Sequence, residues 1–221
     1  MSMQLQSFCF NDFQENTYVL YDETGECVIV DPGAYRPNEK AELLSFVENE
    51  KLKPKLLLNT HGHIDHILAD DFVRNAYHIP LLIHRLEQQV LDRSMEVGSM
   101  YGVFLEAVPV PDRWIEAGEV LRFGNSELEV LFTPGHSPGS VSFYNKKEGV
   151  LISGDVLFRM SIGRFDFPGG NYETLMHSIT QTLLPLPGNT RVYSGHGPVT
   201  TLAYEQHNNP YILEYAENGA S

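Results

Sequence analysis

Thr60-His61-Gly62-His63-Ile64-Asp65-His66 follows directly on the apolar run Leu56-Leu57-Leu58. Three imidazoles and a carboxylate fall within six residues of each other. Imidazole and carboxylate are ligands for zinc, iron and manganese. Packing gives no reason to gather so many of them at the end of a strand-like segment. His61 and His63 are two residues apart, so extended backbone points both rings the same way. Asp65 and His66 lie where a helical pattern begins.

Working outward, three more potential ligands share this context. Leu131-Phe132-Thr133-Pro134-Gly135 precedes His136, Leu151-Ile152-Ser153-Gly154 precedes Asp155, and Val192-Tyr193-Ser194-Gly195 precedes His196. In each, an apolar run ends, glycine permits a tight turn, and a metal-capable side chain follows. Four strand ends converging on one face would bring the ligands together, on loops held by a rigid sheet.

The rest of the chain reads as one mixed α/β domain spanning 1–221. Strands 18–21 and 27–30 form a hairpin across Asp22-Glu23-Thr24-Gly25-Glu26, and Asp31-Pro32-Gly33 breaks the second. Residues 38–51 read as a helix with Leu43, Leu44 and Val47 on one face. Strand 55–59, a helix over 65–77 and strand 81–84 make a parallel βαβ unit. A short helix is expected over 85–92 and a long loop over 93–118. Strands follow at 120–123, 128–132, 141–144, 150–152 and 191–193. A helix over 172–184 carries Leu175, Ile179 and Leu183 on one face and stops at Pro185.

His-x-His-x-Asp-His, Pro-Gly-His, Gly-Asp and Gly-His, in that order over residues 16–198, resemble the motif set of the metallo-β-lactamase superfamily. Within it the chain looks most like the short glyoxalase II-like hydrolases. Val30-Asp31-Pro32-Gly33, Asp112-Arg113-Trp114, Ser153 to Phe158, Ile162 to Gly170 and Asn209-Pro210-Tyr211 carry that likeness. The resemblance implies an αβ/βα four-layer sandwich of two mixed β-sheets flanked by helices. It implies that His61, His63 and His136 hold one divalent ion, that Asp65, His66 and His196 hold a second, and that Asp155 bridges them. Zinc is the first expectation, with iron or manganese as alternatives. Only about twenty residues follow Pro198, so the C-terminal helical domain with which long glyoxalase II binds glutathione is not expected.

The implied activity is hydrolysis of S-D-lactoylglutathione or a related acyl-thiol by a metal-bridging hydroxide. Asp65 is expected to orient the nucleophile and take a proton. Arg164 sits where the family carries a basic residue that contacts glutathione. Ser140 occupies a position often held by a second His, and is expected at most behind the ligands. Alternatives are a persulfide dioxygenase-like enzyme with one iron on His61, His136 and Asp155, a lactonase, or a metal-binding module without catalysis. A β-lactamase proper is disfavoured, since its best-known branch has Cys where this chain has Asp155.

The formal charge of −14 disfavours a polyanion partner such as RNA or DNA. The expected partner is a small-molecule substrate, with neither nucleic acid nor membrane; oligomeric state is left open. No apolar run reaches the ~18–20 residues of a membrane helix, and the N-terminus lacks the features of a signal peptide. Cytoplasmic residence follows as the expectation. Cys9 and Cys27 are too few for a disulfide framework and are expected as buried free thiols. His78, His84, His177 and His207 are expected to be surface or packing residues.

Overall fold

β1 (Gln4–Phe10), β2 (Glu15–Tyr21) and β3 (Glu26–Val30) form an antiparallel meander in the computed structural model, which describes residues 2–105 and 107–219. β1 was not expected, although Phe8 and Phe10 point inward while Ser7 and Cys9 point outward, the alternation of a half-buried strand. Helix α1 (Pro37–Asn49) then returns the chain to β4 (Lys53–Leu58), which lies parallel to β3. Its start is fixed by the buried Glu39, whose carboxylate accepts the N–H groups of Tyr35 and Arg36 at 2.8 Å and of Asn11 at 3.1 Å.

The helix expected over 65–77 is two helices, α2 (Ile64–Ile67) and α3 (Asp70–Tyr77). Two long-range hydrogen bonds break it. The Asp65 carbonyl accepts from Asn11 Nδ2 at 3.1 Å, and the Ala69 N–H that would have bonded to it donates instead to the Pro32 carbonyl at 2.8 Å. Strand β5 (Leu81–His84) follows, parallel to β4 as expected. A 3-10 turn (Arg85–Glu87), α4 (Gln88–Leu91), α5 (Ser94–Tyr101) and β6 (Arg113–Ile115) complete the segment. α5 lies where a loop was expected.

The sheet so formed runs in the order β1-β2-β3-β4-β5-β6. β3 and β5 and the Leu57-Leu58 end of β4 are buried on both faces, because a parallel sheet is covered on both sides. Cys27, Ile29, Leu57 and Leu81 pack with Leu43 of α1 and Val73 of α3, while Ile83 packs with Ile64, Ile67, Leu68 and Leu91. Both cysteines are free, but Cys9 is exposed, contrary to expectation, because it points away from this core. Burial pushes the Cys27 thiol up to about 12.

The second sheet runs in the order β14-β13-β10-β9-β8-β7. Its strands are β7 (Val120–Phe123), β8 (Ser126–Phe132), β9 (Val141–Asn145), β10 (Val150–Gly154), β13 (Arg191–Ser194) and β14 (Thr200–Thr201). β10 and β13 are parallel; β8 with β9, β9 with β10 and β13 with β14 are antiparallel. A small ribbon, β11 (Leu157–Phe158) with β12 (Ser161–Ile162), follows β10.

Helix α6 (Tyr172–His177) continues as a π-helix over Ser178–Leu183. The Leu184 N–H reaches the Ile179 carbonyl at 2.9 Å, and the Thr180 hydroxyl takes the Met176 carbonyl at 2.7 Å, competing with regular helical bonding. Leu175, Ile179 and Leu183 still face the core, with Leu151 and Val192 of the sheet and Leu202 and Ile212 of α7 (Leu202–Asn208) and α8 (Pro210–Gly219).

The α/β class with two mixed sheets flanked by helices is therefore observed. The chain forms two compact units, Met1–Ile115 with Leu121–Glu127, and Glu116–Val120 with Leu128–Ser221. Among the described residues no helix is long and apolar enough to cross a membrane.

Candidate metal centre

In the first unit, β4 ends at Leu58 and delivers Asn59 to His63 as an extended loop before α2 begins. The His61 ring lies 4.8 Å from that of His63 and 4.2 Å from that of His66, centre to centre. His66 Nε2 is 3.5 Å from Asp65 Oδ2. This unit thus gathers four of the expected ligands.

The tautomers follow from the hydrogen bonds. Thr60 Oγ1 donates to Asp31 Oδ2 at 2.6 Å, since a carboxylate only accepts. The Thr60 oxygen, 2.9 Å from His61 Nδ1, must then accept from that nitrogen. His66 Nδ1 likewise donates to Asp31 Oδ2, at 3.1 Å. Each ring is left with its lone pair on Nε2, the form a metal requires. Donor atoms of Asp31, His61 and His66 lie within 4.8 Å of one another. Asp31 nonetheless serves from behind: its Oδ1 takes the Thr60 N–H at 2.7 Å and its Oδ2 is shared by Thr60 and His66.

Sequence reasoning noticed Asp31 as a strand breaker and within the Val30-Asp31-Pro32-Gly33 stretch of the family likeness, but not as a partner of Thr60 and His66. The chain turns there with a φ of +49°, an unusual conformation for a non-glycine residue. Nearby, burial raises the Glu15 carboxyl well above its ordinary range. Glu15 Oε1 lies 4.0 Å from His66 Nδ1.

Glu87 was also missed. It is fully buried, and its Oε2 accepts the Gly62 N–H at 2.8 Å. Gly62 separates His61 from His63, so this bond sets the direction in which both rings leave the backbone. Glu87→Leu should weaken metal binding by roughly 10–100-fold, the usual cost of losing an outer partner of a ligand. Glu87→Gln keeps an acceptor oxygen and should retain most of the affinity. Competition with a chromophoric chelator measures both; equal losses would remove the hydrogen bond as the cause.

In the second unit, the parallel register of β10 and β13 pairs Gly154 with Ser194. Asp155 and His196 consequently emerge near each other, and His196 Nε2 lies 3.5 Å from Asp155 Oδ2. His136, on the β8–β9 loop, places its Nε2 3.6 Å from the same oxygen. Its Nδ1 donates to the Arg164 carbonyl at 2.7 Å, which again leaves the lone pair on Nε2. Gly135, at φ +128°, lets this loop lie on α6: a Cβ there would sit 2.3 Å from the Leu175 nitrogen. The Ser178 hydroxyl ties the Pro134 carbonyl at 2.7 Å. Ser140 braces the same loop, Oγ to Ser137 Oγ at 2.6 Å.

The spacings fit a metal. Two ligands about 2.0–2.1 Å from one tetrahedral ion stand about 3.3–3.4 Å apart. The 3.5–3.6 Å separations around Asp155 and between Asp65 and His66 are near that edge length and long for hydrogen bonds.

Arg164 was expected to bind substrate. Its guanidinium forms a two-pronged pair with Asp166, Nε to Oδ1 at 2.9 Å and Nη2 to Oδ2 at 2.8 Å, and stacks 4.1 Å over the Phe167 ring. The hydrogen bonds from Arg164 hold the Asp166 carboxyl below its usual range. What Arg164 gives the donor set directly is its carbonyl, through His136. The remaining histidines lie outside both donor sets as expected. His78, His177 and His207 are exposed, while the buried His84 has its Nδ1 3.4 Å from the Leu86 N–H and caps the 3-10 turn.

The family model for the metallo-beta-lactamase superfamily matches residues 10–196, through both donor sets. The chain belongs to the metallo-beta-lactamase superfamily. "Probable metallo-hydrolase YqgX" of Bacillus subtilis (strain 168) is 45% identical, covering 90% of this chain and 92% of that protein. "Hydroxyacylglutathione hydrolase GloC" of Haemophilus influenzae is 34% identical, covering 95% and 98%. Among solved structures, BLEG-1, described as a B3 metallo-beta-lactamase, is 41% identical with a TM-score of 0.87, covering 95% of this chain and 99% of that one. TTHA1623 in a di-iron-bound form is 36% identical with a TM-score of 0.84, covering 93% and 99%. This is a superfamily of metallo-hydrolases, and the His and Asp donors described above are of the kind that binds divalent ions.

Proposed function

We propose that the chain is a glyoxalase II-like thioesterase cleaving S-D-lactoylglutathione or a related acyl-thiol. In this reading the two donor sets are halves of one centre within a single domain. His61, His63 and His136 hold one divalent ion, Asp65, His66 and His196 a second, and Asp155 is shared. Zinc is the first expectation, and the di-iron relative makes iron a serious alternative. The observation that carries the reading is the anchoring of three rings at Nδ1, His61 on Thr60 Oγ1, His66 on Asp31 Oδ2 and His136 on the Arg164 carbonyl, which fixes the direction in which each Nε2 points. Glutathione as carrier is supported by the GloC relative.

Divalent ions bound there would supply the Lewis acidity that activates water and polarises a carbonyl. The chain's own groups do the rest. Asp65 orients the attacking water and accepts its proton at a carboxylate oxygen. The water oxygen bonds to the acyl carbon, the C–S bond breaks, and the proton ends on the departing sulfur. A thiolate leaves readily, so no separate general acid is needed. Arg164 is the candidate contact for glutathione, in exchange for part of its pairing with Asp166. The net charge of −14 supports a small-molecule substrate over nucleic acid.

Elemental analysis of purified protein should find close to two metals per chain, and thiol release should be fastest on glutathione thioesters. Arg164→Ala should raise KM for those esters far more than for a neutral aryl thioester. One tightly held iron with oxygen uptake on glutathione persulfide would replace this reading with the dioxygenase, and preferential opening of a lactone would replace it with the lactonase. Rapid nitrocefin hydrolysis would favour a second reading, β-lactam cleavage, which the 41% identity to BLEG-1 supports.

A further inference from the structure

The β1–β2 turn is built to present one aromatic ring. Asn11 and Gln14 hold left-handed backbone, φ +53° and +57°. Such conformations are uncommon for non-glycine residues. Asn11 Nδ2 donates to the carbonyls of Gly33 at 2.9 Å and Asp65 at 3.1 Å, while its Oδ1 takes the Phe13 N–H at 2.9 Å. Phe13 is therefore tied through one side chain to the backbone of a candidate metal ligand. Its ring meets Tyr101 edge to face, centres 5.6 Å apart.

Tyr101 is anchored to the same loop from the other side. It ends α5, and a Cβ on Gly98 of that helix would lie 3.0 Å from Ile64 Cδ1. Ile64 sits between His63 and Asp65. Although so placed, the aromatic ridge is open to solvent: Tyr101 is 53% exposed, Met100 71% and Phe104 73%. Three large apolar side chains exposed within residues 100–104 make this segment a candidate binding surface.

Resting on the thioesterase reading, we propose that Phe13 and Tyr101 form an apolar wall for the acyl half of the substrate. The favoured acyl group then carries an aromatic or branched hydrocarbon body, larger and drier than lactoyl. The glutathione half is a poor match for this surface, being a peptide with two carboxylates. The neighbouring cation, Arg36, is engaged by Asp12 at 2.5 Å and by Glu39 at 3.3 Å.

The test compares phenylacetate with acetate on the metal-loaded protein by titration calorimetry, since the two share a carboxylate and differ by a ring. Phenylacetate should bind about tenfold tighter or more, the value of seating a phenyl group. Phe13→Ala and Tyr101→Ala should each remove most of that margin, with acetate affinity and metal content unchanged, while Phe13→Leu should keep much of it. In turnover, phenylacetyl-glutathione should exceed S-D-lactoylglutathione in kcat/KM, and the Ala variants should narrow the ratio. Equal affinity for the two acids in the native protein, or parallel losses in the variants, would overturn the wall. If no thioester is cleaved, the functional reading falls while the calorimetry still decides the wall.

Discussion

Asp155→Ala should lose tight binding of metal and lower turnover by about 1,000-fold or more, a greater loss than the ~10–100-fold expected for an outer partner. The reason is local charge. Asp155 Oδ2 stands 3.6 Å from His136 Nε2 and 3.5 Å from His196 Nε2, so both imidazoles converge on this one oxygen. Removing it leaves two neutral rings with no anion between them. The side chain is not part of the apolar core, so the fold should survive, and circular dichroism of the metal-free variant should match that of the metal-free parent. Asp155→Asn separates charge from shape: it keeps an oxygen but not the anion, and should lie nearer to alanine than to the parent. An Asp155→Ala protein with full metal content and parental kcat/KM would contradict the assigned role.

Gly163→Ala should be the most damaging small substitution, at about 2–3 kcal/mol of stability. A Cβ at Gly163 would lie 1.8 Å from the Asp155 carbonyl oxygen and 3.2 Å from His136 Nδ1. The first of these atoms is backbone and can give way only by moving Asp155 itself. The variant should therefore lose metal affinity together with stability. Gly118→Ala is the control: a Cβ there meets nothing within 4 Å, and only its φ of +78° is strained. That change should cost about 1 kcal/mol and leave metal binding alone. Thermal melts with and without a chelator measure both effects; equal outcomes at the two glycines would show that the close approach at Gly163 is not what matters.

The candidate ligands stood out because each follows a strand-like run and belongs to a residue class with little other reason to be there. Strand ends are local features, and the two-residue spacing of His61 and His63 carries its own geometry. What escaped was set by distant contacts. The Asn11 and Pro32 hydrogen bonds that break the helix at Ala69 come from outside the local sequence. Helix α5 was hidden by Gly98, a poor helix former, whose missing Cβ makes room for Ile64 and the Val103 carbonyl. Glu87 and Asp31 look like ordinary acids until tertiary structure places Gly62 and Thr60 against them. The pairing of Arg164 with Asp166 depends on the path of an irregular loop. β1 is the exception, since its alternation around Phe8 and Phe10 was there to be read.

The central claim is that two donor sets, far apart in the chain, serve one pair of ions. X-ray absorption of the fully loaded protein tests it most directly. The account predicts two metals per chain with a metal–metal vector of about 3.5–4 Å. A single ion per chain, or two ions with no scattering between them, would contradict it.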